Sequence, residues 1–154
     1  MFAILFALSV NTPAAVPDDK DKPLPEAAQK ELKKLEAKWK AVKIVVGGNE
    51  QEAGRVTSLE FKGRQLFVHE NDKATAFFEV AAIDPSTTPK LLDLKALVDE
   101  GPITKGTVFE TIYKLDGDDL CIAIYFGEGK KRPEKFESEK QSMVVVVTLK
   151  REKN

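Results

Sequence analysis

The chain has 154 residues, of which 42% are hydrophobic, and this is enough for one folded domain with a substantial core. Its 24 basic residues nearly balance its 25 acidic residues, so the charge gives no reason to expect nucleic acid or an anionic membrane surface as a partner. The single cysteine, Cys121, excludes an intramolecular disulfide. Its apolar sequence context favours a buried small residue over a reactive thiol.

The first segment, Phe2–Val10, is an apolar run of the length found in secretory signal peptides, and it is too short to span a bilayer. Small residues follow it, although the positively charged residues that usually precede such a run are missing. We therefore expect a signal peptide over residues 1–15 and a secreted or periplasmic mature protein without a membrane span. A buried first strand is the alternative. Residues 16–25 are rich in proline and charge, which predicts a linker.

Residues 26–154 predict one domain that begins with a short helix. Helix formers fill Glu26–Lys38, and an apolar stripe at helical spacing runs through Ala28, Leu32, Leu35 and Trp39. We expect the charged face of this helix to be solvated. From Trp39 onward the pattern becomes extended, and turn residues separate apolar segments at 39–46, 55–61, 65–70, 73–83, 90–94, 106–126 and 143–151.

The clearest of these segments is a hairpin within residues 106–126. Asp116–Asp119 supplies the turn, since aspartate and glycine readily accept turn conformations. Side chains at every second position then share one face, which we predict to be the core face. Its members are Phe109, Thr111, Tyr113 and Leu115 before the turn, and Leu120, Ile122, Ile124 and Phe126 after it. Several such strands with no helix between them indicate an antiparallel barrel or sandwich.

A family resemblance narrows this choice. The segments that carry it are Leu35–Trp39 (LEAKW), Pro89–Leu94 (PKLLDL), Ile112–Asp118 (IYKLDGD), Arg132-Pro133 with Phe136, and Leu149–Glu152 (LKRE). In this order they resemble a large paralogous family of planctomycete bacteria that is usually described as lipocalin-like and has no established activity. The resemblance covers about Leu35 to Lys153. It implies an all-β, antiparallel lipocalin-like barrel of about eight to ten strands with one short N-terminal helix.

Some positions depart from the family pattern. Ala37 and Thr111 stand where glycine is frequent, and Cys121 lies two residues earlier than the usual cysteine. The resemblance also implies that the first and last strands lie side by side, with Arg151 packed across the indole ring of Trp39. We expect this pair to have a structural role in closing the barrel.

The remaining candidates for chemistry are weak. Asp116–Asp119 lacks the ligand spacing of an EF-hand, and His69 is the single histidine, so we expect no metal site. Since no nucleophile or acid–base pair has a recognisable spacing, we expect neither an enzyme nor a cofactor. Lys130–Arg132 is either a solvated basic loop or an anion-binding mouth of the barrel.

Two hypotheses for function remain. In the first, the barrel binds a small, largely apolar ligand through inward side chains, namely Phe109, Thr111, Tyr113, Ile122, Ile124 and Phe126. The hydroxyl groups of Thr111 and Tyr113 would then orient the ligand. In the second, the barrel is filled, because these side chains are large, and the protein acts through its outer surface on another protein. The sequence leaves both open.

Overall fold

The computed structural model describes residues 23–51, 54–101 and 103–153 of the chain. The predicted signal peptide and most of the predicted linker lie outside these ranges. Within them, no helix has the length and apolar character needed to cross a membrane.

One helix and nine strands make up the described part of the chain. Their bounds are α1 Glu26–Leu35, β1 Lys38–Val46, β2 Asn49–Gln51, β3 Val56–Lys62, β4 Gln65–Glu70, β5 Lys73–Asp84, β6 Lys90–Ala96, β7 Val108–Asp116, β8 Asp119–Tyr125 and β9 Val144–Arg151. The sequence pattern therefore located the helix and most of the strands, but it missed β2. That strand is three residues long and fully exposed, so it has no apolar alternation to detect.

The sheet is a closed antiparallel barrel, as the sequence predicted. From β3 to β9 each strand pairs with the next one along the chain. β1 closes the cylinder, since it pairs with β3 on one side and with β9 on the other, from Trp39 opposite Arg151 to Val46 opposite Val145. Strand β2 pairs with β1 alone, as the return arm of a short hairpin. Eight strands thus form the wall.

The predicted central hairpin has the expected register. Leu115 lies opposite Leu120 and Tyr113 opposite Ile122. Gly117 adopts a left-handed conformation with φ of 58°, which the tight turn requires and which glycine adopts without steric cost. Tyr113, Leu120 and Ile122 of the inward row are buried in the main core. The same core holds large buried residues from all around the wall, including Trp39, Phe61, Leu66, Val80, Leu92, Leu94 and Leu149.

Helix α1 lies across one end of this core. Its stripe residues Ala28, Leu32 and Leu35 are buried in the same cluster as Trp39. The helix ends at Leu35, three residues earlier than predicted, because Glu36 turns extended and the chain must bring Trp39 into β1. The charged face is also not fully solvated as predicted, because Glu31 is buried with only 2% of its surface exposed.

A second apolar cluster lies on the outer face of the wall. Ile112, Ala123 and Val146 are buried there on adjacent strands β7, β8 and β9. Phe136, from the segment between β8 and β9, packs against them. Residues 127–143 therefore act as a strap over the outside of the barrel.

Candidate functional site

The end of the barrel beneath α1 holds a buried polar network centred on Glu31. Its carboxylate accepts hydrogen bonds from the Tyr113 hydroxyl at 2.9 Å and from the Lys90 ammonium at 2.9 Å. Lys34, one helical turn further on, forms an ion pair with the other carboxylate oxygen at 3.1 Å. This network ties the helix to strands β6 and β7.

The network fixes the protonation states of its members. Burial alone would raise the pKa of Glu31, but the hydrogen bonds from Lys90, Tyr113 and Lys34 outweigh it and hold the pKa below its ordinary value. Burial and the neighbouring carboxylate both raise the pKa of Tyr113. At neutral pH Glu31 is therefore an ionised acceptor and Tyr113 a neutral donor.

Trp39 and Arg151 meet at the same end. The guanidinium carbon of Arg151 lies 4.4 Å from the indole ring centroid, a cation–π distance. The indole nitrogen of Trp39 donates to the Leu35 carbonyl at 2.9 Å, and Arg151 donates to the Lys34 carbonyl at 3.0 Å. Since Arg151 also lies 3.3 Å from Asp118 in the β7–β8 turn, it joins the helix, the first strand and the central hairpin.

The residues predicted to line a ligand site divide into two groups. Thr111, Tyr113 and Ile122 are almost completely buried inside the barrel. The hydroxyl group of Thr111 donates to the Leu92 carbonyl, and that of Tyr113 donates to Glu31. Both hydroxyl groups proposed to orient a ligand therefore already have partners within the protein.

The other three, Phe109, Ile124 and Phe126, are only partly buried. Along β7, Phe109 is four residues before Tyr113, or about 13 Å at strand spacing, and so lies towards the end away from α1. The Phe109 ring packs 6.0 Å from Phe78 and 5.4 Å from Phe126, measured between ring centroids. Phe109 and Phe126 also line a cavity of about 300 Å³ at this end.

The rim of this cavity is polar and mostly basic. Lys130 and Lys131 line it together with Glu110 and Tyr125, and the Lys131 ammonium lies 5.7 Å from the Tyr125 ring centroid. Arg132 is directed elsewhere, because it donates to the Thr111 carbonyl at 2.7 Å and lies 2.8 Å from Asp93. The predicted basic loop thus has two members at the cavity and one that anchors the strap.

His69 and Cys121, the weaker candidates from the sequence, have contacts that belong to the fold. His69 is half-buried and lies 2.8 Å from the Glu60 carboxylate. Cys121 is half-buried on the outer face, and burial raises the pKa of its thiol. In residues 23–51, 54–101 and 103–153, no three acidic, histidine or cysteine side chains are grouped closely enough to hold a metal ion.

Sequence reasoning missed Glu31 and Lys90 as members of the buried network. Glu31 lies three residues after Ala28 and four before Leu35, which places it on the buried stripe of the helix. That spacing was a usable signal for its burial. Nothing local marks Lys90 as its partner, since 59 residues separate the two.

These observations define the class of protein: an all-β domain whose closed antiparallel barrel is lipocalin-like and carries one short helix across an end. No protein-family model matches the chain, and no curated protein or solved structure matches it.

Proposed function

We propose that this protein is an exported lipocalin-like domain that binds a small, largely apolar molecule at the barrel end away from α1. The observation that carries the proposal is the cavity of about 300 Å³ in which Phe109 and Phe126 contribute aromatic surface. This volume is at the lower limit for small-molecule sites, so the ligand would be small.

The site we propose is shallower than the sequence suggested. Thr111, Tyr113 and Ile122 belong to the filled core, so we assign them to the fold. Phe109 and Phe126 would contact the apolar body of the ligand. The ammonium groups of Lys130 and Lys131 at the rim would bind a polar or negatively charged end of the ligand. The carboxylate of Glu110 would disfavour a ligand with a large negative charge.

Membership in the lipocalin-like planctomycete family is part of the same proposal. Its support is the order of the matching segments along the chain and the barrel fold of the domain in which they lie. Export is supported by the apolar run Phe2–Val10. Mass spectrometry of the native protein should show cleavage near Ala14 or Ala15, and an intact Met1 in cytosolic fractions would refute export.

Ligand binding is tested by thermal shift and native mass spectrometry with apolar dyes and lipid extracts. We expect a saturable shift that Phe126→Trp abolishes by filling the cavity. Phe67→Trp is the matched control, because Phe67 is half-buried on β4, remote from the cavity, beneath Lys62. If no extract produces a shift, or if Phe67→Trp and Phe126→Trp abolish it equally, the site is wrong.

The second candidate function is a filled barrel that acts on another protein through its outer surface. The favouring observation is the close filling of the interior near α1, where Trp39, Tyr113 and Phe61 are each at most 2% exposed. A crystal structure soaked with the dyes above would separate the two, since ligand density beside Phe126 belongs to the first candidate alone.

A further inference from the structure

Two lysines face each other on the outer wall where the barrel closes. Lys40 on β1 lies directly opposite Lys150 on β9, and both are exposed. Like charges directly opposite each other destabilise a sheet. Neither lysine forms an ion pair within the ranges that the structure describes. Glu152 pairs instead with Lys38 at 3.8 Å, and Asp119, which lies directly opposite Lys150 on β8, forms no ion pair with it.

An apolar side chain lies beside this pair. The register of β1 shifts between Ala41 and Lys43, and this bulge leaves Val42 exposed over 59% of its surface. Val42 and Met143 are the large hydrophobic side chains most exposed in the described part of the chain. Val42, Lys40 and Lys150 line one depression of about 480 Å³, which we call the Lys40–Lys150 surface.

We propose that the Lys40–Lys150 surface binds an extended acidic segment of another protein, with a carboxylate side chain and an apolar side chain two residues apart. In an extended peptide such side chains point to the same side, about 7 Å apart. Lys40 and Val42 likewise line one depression on the outer wall. The carboxylate would lie between the two ammonium groups, and the apolar side chain would cover Val42. This surface lies on the outer wall and does not depend on the ligand site proposed above.

Charge complementarity favours a peptide over a larger polyanion. The chain as a whole has a formal net charge of −1, and Glu152 also lines the depression. A membrane or a nucleic acid needs several basic residues over a wide area. Glu152 and Asp119, which lie beside the two lysines, would weaken the binding of either one. A short segment can contact the two lysines alone.

The test uses a labelled, blocked peptide of sequence Gly-Glu-Ser-Leu-Ser-Glu-Gly and fluorescence anisotropy at low salt. We expect saturable binding to the purified chain and an affinity about tenfold weaker for the double variant K40E/K150E. The double variant K73E/K105E is the matched control, because it makes the same change in net charge at exposed lysines elsewhere. The peptide with leucine replaced by serine should also bind more weakly.

A single variant separates binding from folding. Lys40→Glu replaces a like-charged pair with an opposite-charged pair, and the residue opposite Lys40 on its other side is the neutral Ser58. It should therefore raise the melting temperature while it weakens peptide binding. The proposal is overturned if the peptide does not bind, if K73E/K105E weakens binding as much as K40E/K150E, or if the serine peptide binds equally well. Binding of anionic lipid vesicles that is equally sensitive to K40E/K150E would also overturn it in favour of a membrane surface.

Discussion

Glu31 on α1 accepts a hydrogen bond from the Tyr113 hydroxyl at 2.9 Å, across 82 residues of sequence and with both side chains buried. The contact links a helix that precedes the barrel to its central hairpin. A buried carboxylate is costly unless its oxygens are satisfied, and here Lys90 and Lys34 complete its partners. The helix can therefore leave this end of the barrel only by breaking the whole network.

Tyr113→Phe should lower the free energy of unfolding by about 1.5–3 kcal/mol, because it removes one of the donors to a buried carboxylate. Urea denaturation followed by fluorescence measures this. The control is Tyr125→Phe, whose hydroxyl donates to the Glu128 carbonyl at 3.2 Å in an exposed setting. We expect a change below about 0.5 kcal/mol there. Equal losses in the two variants would show that the network adds little.

The network also predicts acid sensitivity. Folding lowers the pKa of Glu31 below its ordinary value of 4.5, so folding favours the ionised form. The resulting stability is present above that value and is lost as the pH falls through the lowered pKa. Urea midpoints measured over about pH 3–7 should fall more steeply for the wild type than for Glu31→Gln on acidification. Glu60, whose pKa is also lowered, is common to both proteins and cancels in the comparison. Parallel curves would contradict the assignment.

Trp39→Ala should cost about 3–5 kcal/mol of stability, since it deletes a fully buried aromatic side chain. Arg151→Ala should cost less, about 0.5–2 kcal/mol, because it removes a cation from one face of the indole ring. Trp39 is the single tryptophan, so native fluorescence reports on it directly. Emission typical of a water-exposed indole in the folded protein would be incompatible with its place in the core.

Phe136→Ala should release the strap over the outer cluster. The Phe136 side chain packs against Ile112, Ala123 and Val146, and the Lys114 ammonium lies 5.0 Å from its ring centroid. We expect faster amide exchange in residues 127–143 and increased binding of a hydrophobic dye, with the barrel strands still protected. Lys140→Ala, at an exposed position of the same segment, is the control and should leave exchange unchanged. Loss of protection throughout the barrel would mean that the strap is part of the folding unit.

Much of this fold was determined by the sequence alone. Alternation of side chains along a strand is local, so the inward row from Phe109 to Leu115 and the turn at Gly117 could be predicted without any knowledge of their neighbours. The helical stripe Ala28, Leu32 and Leu35 is local in the same way. Because successive strands pair in chain order, these local patterns were sufficient to indicate an antiparallel barrel or sandwich, and the family resemblance favoured the barrel.

The tertiary structure decided what depends on distant partners. The burial of Glu31 requires Lys90 and Tyr113 to converge on it, and no local pattern encodes that meeting. The outer face of β7 carries Ile112 between the charged residues Glu110 and Lys114, yet Ile112 is buried because the strap returns across it. The division of the predicted ligand residues is also tertiary. Closure and the helix fill the interior around Thr111 and Tyr113, whereas Phe109 and Phe126, near the other end of the same strands, retain a cavity.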